Sequence, residues 1–211
     1  MPTDIAELRS PYVQVLSCCE NTLDTLRRVE QLRDCMLPAK ASLIVRIVVT
    51  NDEPTLVMGA ERARELDDLA DLLLIYTSMP CSELARRVQH ALLLPLTSWQ
   101  PVSCDITDVI STVQSGASGR MFFATGKAMG ENRTITAMRH AVEDLKRQRG
   151  SLPEASGTVI VVRSPVGGIP PLDLKLTYTE FRSTFKAPWH IQGLAYDGAA
   201  DTVEVDILLM I

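Results

Sequence analysis

Three continuous apolar runs, each separated from the next by a helical or charged segment, constrain the fold of this chain most. The runs are YVQVLSCC (residues 12–19), SLIVRIVVT (42–50) and DLLLIYT (71–77), and such unbroken apolar strands are typical of parallel sheets covered on both faces. Between them, residues 21–37 and 59–70 have the apolar spacing or the mixed charge of helices. Because strand–helix–strand crossovers are right-handed, these elements predict an α/β protein with a partial parallel Rossmann-like sheet.

The second half of the chain has a different pattern and predicts an α+β two-layer domain. Residues 82–94 are predicted to form a helix, Pro95 and Pro101 to bracket a turn region, and residues 103–116 to form a short helix capped by Asp105. Further elements are predicted as strands at 120–126, 156–165 and 202–211 and as helices at 134–150 and within 176–186.

Composition and charge argue against several classes of function. The 211 residues carry a net charge of −5 with only 21 Lys and Arg, so neither nucleic acid nor an anionic membrane surface is an expected partner. The first residues lack a signal-peptide pattern and the longest apolar runs are too short to span a bilayer, which favours a cytoplasmic protein. The five cysteines have no paired CxxC spacing and the three histidines have no HxxxH spacing, so no metal site is predicted.

One segment, GKAMGENR at residues 126–133, carries a specific resemblance. Together with two later alanines it matches the pattern GxAxGENRxxxAxxxA of the FtsZ family of bacterial cell division, through Gly126, Ala128, Gly130, Glu131, Asn132, Arg133, Ala137 and Ala141. The glycines allow a strand to turn sharply into a helix with close backbone approach. Glu131 and Asn132 are placed to satisfy the unpaired amides of that helix.

Weaker similarities lie in the same order along most of residues 12–211. Residues 42–78 resemble the strands before the family's central helix, and CDITDV (104–109) resembles its NxDxxDV loop. VGGIPPLDLKLTYTEF and the closing residues 191–211 are similar to its last segments, which end in a hairpin. The FtsZ/tubulin-like resemblance implies a truncated, degenerate GTPase-like half-domain at 1–80, a connecting helix and loop at 81–101, and an FtsZ-like C-terminal domain at 102–211.

The segment CCENTLD (18–24) departs from the family, because it lies where the family has its glycine-rich phosphate loop. It contains no glycine, and the positions are occupied by Cys19, Glu20, Asn21, Thr22 and Asp24. Backbone amides cradle a phosphate only where glycines allow close approach, and two acidic side chains here add repulsion. We therefore expect no nucleotide cofactor and no GTPase activity of the chain alone.

Asp105 and Asp108 match both aspartates of the family's inter-subunit loop, while Ser103 replaces its asparagine. In the family this loop reaches the nucleotide of the next subunit, where the acidic residues help to polarise the attacking water. The alternative is that Asp105 caps the following helix and Asp108 interacts with the helix dipole.

The resemblance also implies that the family's first strands would lie before residue 1. The parallel sheet would then expose an edge and a face, to be covered by residues 1–11, a dimer partner or a rearranged helix.

These observations predict a non-catalytic FtsZ-like protein that acts through protein contacts and caps or modulates an FtsZ-like filament. Its expected partner is an FtsZ-like subunit or a further copy of the chain, as a homo-oligomer. Two alternatives stay open: a self-associating scaffold unrelated to division, and a residual GTPase whose site is shared between chains.

Overall fold

The computed structural model describes residues 13–18, 21–34, 45–97, 105–116, 119–149, 154–165, 169, 171–184, 189–195 and 201–211. Its strands are β1 (Val13–Ser17), β2 (Val45–Thr50), β3 (Leu72–Ile75), β4 (Arg120–Met129), β5 (Gly157–Arg163), β6 (Trp189–Ala195) and β7 (Thr202–Met210). Its helices are α1 (Thr22–Asp34), α2 (Pro54–Met58), α3 (Ala60–Leu69), α4 (Cys81–Thr97), α5 (Ile106–Gln114), α6 (Arg133–Arg149) and α7 (Pro171–Thr184).

The seven strands form one sheet in the order β1-β2-β3-β4-β7-β5-β6. Strands β1 to β3 are parallel, as the apolar runs predicted, and β4 continues the parallel pairing beside β3. In the second half, β7 pairs antiparallel with both β4 and β5, and β5 pairs parallel with β6. The predicted α/β class is therefore confirmed. The prediction that the last two strands form a hairpin is wrong, because β5 lies between β6 and β7.

The two halves of the sheet meet at a short seam. Strands β3 and β4 pair through only two residue pairs, Leu73 with Arg120 and Leu74 with Met121. Beyond these pairs, the ring of Tyr76 packs edge-on against Phe123, with ring centroids 5.2 Å apart. Aromatic packing therefore continues the contact between the halves where main-chain pairing stops.

Helices cover both faces of the sheet. Side chains of α4 and α5 share one apolar core with residues of β1 to β5 and β7. On the opposite face, α6 and α7 cover the second half of the sheet, and α1 and α3 cover the first. Helix α4 contacts both β1 and β6, the two outer strands, so the sheet curls around this helix.

Two local features differ from the sequence prediction. Helix α4 continues to Thr97 and includes Pro95, although a proline lacks the amide that helix bonding needs. The three leucines before Pro95 are at least 94% buried, and tertiary burial of this kind overrides local preference. In addition, the polar stretch after β2 is followed by the short helix α2, which the sequence did not predict.

Within the described ranges, no helix combines the length and the apolar character needed to cross a membrane.

Candidate functional site

Gly126 lies where strand β4 and helix α6 are in closest contact. A Cβ atom at this position would be 2.0 Å from the carbonyl oxygen of Ala137 and 2.4 Å from the backbone nitrogen of Ala141. Both alanines are fully buried. The glycine and the two alanines of the sequence signature therefore let a strand and a helix approach within backbone contact.

The sharp turn falls four residues after Gly126, because β4 continues to Met129. Gly130 has a φ of +79° and Asn132 a φ of +55°, a region that glycine and asparagine tolerate best. The carbonyl of Asn132 accepts a hydrogen bond from the amide of Thr136 at 3.0 Å. Glu131 is exposed, and Arg133 lies 3.7 Å from the Asp201 carboxylate.

In the sequence, residues 18–21 between β1 and α1 contain no glycine. The hydroxyl of Thr22 donates to the carbonyl of Ser17 at 2.8 Å and is thus turned back toward the strand. Asp24 lies in the first turn of α1, exposed and 3.0 Å from Arg27. Asn21 precedes the helix and is exposed, whereas Cys19 and Glu20 lie outside the described residues.

The start of α1 combines features that favour an anion with one that opposes it. The first turn of α1 offers backbone amides and a favourable dipole. However, Asp24 places a carboxylate in that same turn, and the segment has no glycine to expose consecutive amides.

Asp105 and Asp108 form a capping box at the start of α5. One carboxylate oxygen of Asp105 accepts hydrogen bonds from the amides of Thr107 at 2.7 Å and Asp108 at 3.0 Å. The Asp108 carboxylate in turn accepts from the amide of Asp105 at 3.0 Å. Both residues are exposed, so the pair forms an acidic corner, and the capping box accounts for its geometry without a catalytic role.

A buried ionic network, which the sequence did not indicate, joins α4 to the second half of the sheet. Asp206 of β7 is fully buried and lies 2.7 Å from Arg87 of α4 and 3.1 Å from Arg163 of β5. Two arginines on one carboxylate compensate for its loss of solvent. On its other side, the Arg163 guanidinium lies 2.7 Å from Nδ1 of His90 in α4.

Glu204 extends this network toward the surface. It lies 3.2 Å from Arg87 and 3.0 Å from Lys127. Burial by itself would raise the pKa of the Glu204 carboxyl, but the hydrogen bond from Lys127 and the nearby arginine charges outweigh burial. The pKa of Glu204 therefore lies below its usual value, and the carboxylate is charged at neutral pH.

A second buried contact crosses the seam between β3 and β4. The Tyr76 hydroxyl donates to the carboxylate of Asp144 in α6 at 3.0 Å, and the amide of Thr125 donates to the same carboxylate oxygen at 3.2 Å. Burial, and then the charge of Asp144, raise the pKa of Tyr76 to about 12.

Among the described residues, no group of three or more His, Cys, Asp or Glu side chains could hold a metal ion. His90 contacts Arg163, whereas His140 of α6 lies 2.9 Å from the carbonyl of Lys127. The structure therefore does not bring these two histidines into one site.

No model of a known protein family matches this sequence, and no curated protein matches it. Solved structures with a similar fold include one FtsZ and two CetZ proteins. A tryptophan-to-tyrosine variant of FtsZ from M. jannaschii has a TM-score of 0.61 at 16% identity, over 82% of this chain and 60% of that chain. CetZ from Methanosaeta thermophila has a TM-score of 0.60 at 11% identity, over 94% of this chain and 61% of that one.

CetZ2 from Haloferax volcanii, described as a GTPγS-bound protofilament, has a TM-score of 0.51 at 15% identity. This match covers 93% of this chain and 64% of that one. The chain thus spans less than two thirds of the length of each of these proteins. At such low identity the matches establish architecture alone, and the architecture of this chain is the FtsZ/tubulin-like fold.

Proposed function

We propose that this chain is a non-catalytic FtsZ-like protein that acts through protein contacts and caps or modulates an FtsZ-like filament. The observation that carries the proposal is the segment between β1 and α1. Its residues 18–21 contain no glycine, and the first turn of α1 places Asp24 where the FtsZ resemblance would place a phosphate. This combination disfavours nucleotide binding and leaves contact with other proteins as the retained use of the fold.

The corner at the start of α5 is the surface that we assign to docking. Asp105, Thr107 and Asp108 are exposed there, and the capping box fixes their backbone. A rigid surface loses little conformational entropy on binding. By the FtsZ resemblance, this corner would meet the nucleotide face of a complete subunit.

A capping action follows from the difference between two surfaces of the chain, the α5 corner and the β1–α1 segment. The α5 corner could bind one complete subunit, whereas the β1–α1 segment would offer the next subunit no nucleotide. Because the matched CetZ2 is described as a protofilament, a filament is the assembly on which such a chain would act.

Polymerisation of a complete FtsZ-like protein from the same cell tests the proposal. We expect substoichiometric amounts of this chain to lower light scattering and shorten the filaments. Thr107→Arg should abolish the effect by changing the docking surface. It should keep the cap, because Thr107 is exposed and contributes only its backbone amide to the cap. Thr179→Arg, at an exposed position of α7, is the matched control. Unchanged polymerisation and no binding would overturn the proposal.

Phosphate release measured in the same assay separates the enzymatic alternative. Steady release that requires the chain and is lost in both Asp105→Ala and Asp108→Ala would support a GTPase site shared between chains.

A further inference from the structure

Strand β1 is the outer strand at one edge of the sheet. It pairs with β2 on one side, with Ser17 opposite Val49. Its sequence VQVLS contains no charged residue and no proline, although charge and proline are the common means by which proteins protect an open edge. The edge therefore lacks these two protections against pairing with another strand.

The register shows which main-chain groups face the open side. The amide of Cys18 donates to the carbonyl of Val49 at 2.8 Å. In parallel pairing, alternate residues direct both their amide and their carbonyl to the same neighbour. Leu16 therefore also faces β2, whereas Val15 and Ser17 face away from it. Within the described ranges, no residue pairs with the amide of Val15.

The accessible part of this edge is short and lies between two helices. Val13 is fully buried, but the following residues to Ser17 are partly exposed. Val15 packs toward the core that contains α4, and Leu16 packs toward the core that contains α1. A strand added here would have to place apolar side chains toward both helical layers.

We propose that the edge of β1 is a dimer interface, at which β1 pairs antiparallel with β1 of a second copy about a two-fold axis at Leu16. In this register Val15 lies opposite Ser17 of the second copy, and each pair exchanges two main-chain hydrogen bonds. The carbonyl of Ser17 already accepts the Thr22 hydroxyl at 2.8 Å, and it has a second lone pair for the new bond.

A second copy fits this edge better than an unrelated peptide. When a second copy of β1 runs antiparallel to the first, the outward amides and carbonyls of Val15 and Ser17 meet the same groups of the other copy. This self-complementarity is the condition for a two-fold interface. Because β1 is uncharged, two copies do not repel each other along the strand. A charged peptide would bury its charge between the helical layers at a large cost in free energy.

Sedimentation and amide hydrogen exchange of the full chain, from about 1 to 100 μM, test the proposal. We expect a reversible dimer and slower exchange of the Val15 and Ser17 amides as the concentration rises. Val15→Pro should weaken the dimer at least about tenfold, because it removes an outward amide from each copy. It should leave the pairing of β1 with β2 intact, since proline is tolerated on edge strands.

Val15→Ala is the matched control, because it shortens the same side chain but keeps the amide. It should still dimerise. If Val15→Pro does not fold, the concentration dependence of exchange in the unchanged protein decides the question. A monomer at all concentrations, or a dimer in which these two amides exchange at the same rate throughout, would overturn the proposal. The proposed interface uses residues of β1 and none of the α5 corner, so either proposal can fail alone.

Discussion

The contact between Gly126 and helix α6 gives the most direct prediction about the fold. In Gly126→Ala the new methyl group would lie 2.0 Å from the Ala137 oxygen and 2.4 Å from the Ala141 nitrogen, at least 1 Å inside the 3.4 Å of an ordinary contact. Both neighbouring atoms belong to the backbone of α6, so relief requires the whole helix to move rather than one side chain. Withdrawal of α6 would also loosen its buried Met138 and Leu145.

Overpacking of a core typically costs about 1–3 kcal/mol and occasionally more. An entire helix must shift here, so we place the loss at about 3 kcal/mol. Replacing glycine by alanine within a strand returns about 0.5–1 kcal/mol through backbone entropy, which leaves a net loss of at least about 2 kcal/mol.

Gly130→Ala is the matched control, four residues away in the same signature. Nothing lies within 4 Å of a Cβ atom there, and the only penalty comes from the positive φ of +79°. That penalty is about 1–2 kcal/mol. Urea unfolding, monitored by circular dichroism, compares the free energies of unfolding of the two variants, provided that their m-values agree. If Gly126→Ala proves no more destabilising than Gly130→Ala, the close contact between β4 and α6 is refuted.

Three further predictions concern the buried polar groups and the α5 cap. Asp206→Asn leaves Arg87 and Arg163 without a full counter-charge, and we expect a loss of about 3–5 kcal/mol in urea unfolding; a loss below about 1 kcal/mol would contradict the network. The pKa of Tyr76 is raised from 10.0 to about 12. The contribution of its protonated hydroxyl to the free energy of unfolding is therefore complete below pH 10 and is lost as the pH rises toward 12. The loss should reach about 3 kcal/mol and be missing in Tyr76→Phe over the same pH series. Asp105→Ala should cost about 1 kcal/mol through loss of the cap, whereas Thr107→Ala should be nearly neutral; equal losses would argue against the capping box.

The sequence predicted the features that depend on neighbouring residues. The apolar runs located β1, β2 and β3, because a strand buried on both faces has no polar side. Asp105 was recognisable as a cap, because the box is completed within three residues. Strand β4 was predicted to end at Gly126 but continues to Met129, because a glycine needed for close packing looks the same in sequence as a glycine needed for a turn.

Features that depend on distant residues were missed. Arg87 and Asp206 are 119 positions apart, and neither residue stands out in its own segment. Asp206 interrupts an apolar strand, which in isolation resembles a residue facing solvent. The curl of the sheet around α4 likewise depends on two outer strands that are far apart in the chain. Local patterns carry no information about either arrangement.

Isothermal titration of the purified chain with GTP and with GDP in magnesium buffer tests the central functional claim most directly. Because the segment after β1 lacks glycines and Asp24 lies in the first turn of α1, we predict no saturable heat with either nucleotide. Saturable binding in the micromolar range would contradict the proposal, since it would require a phosphate site in this chain or between its copies.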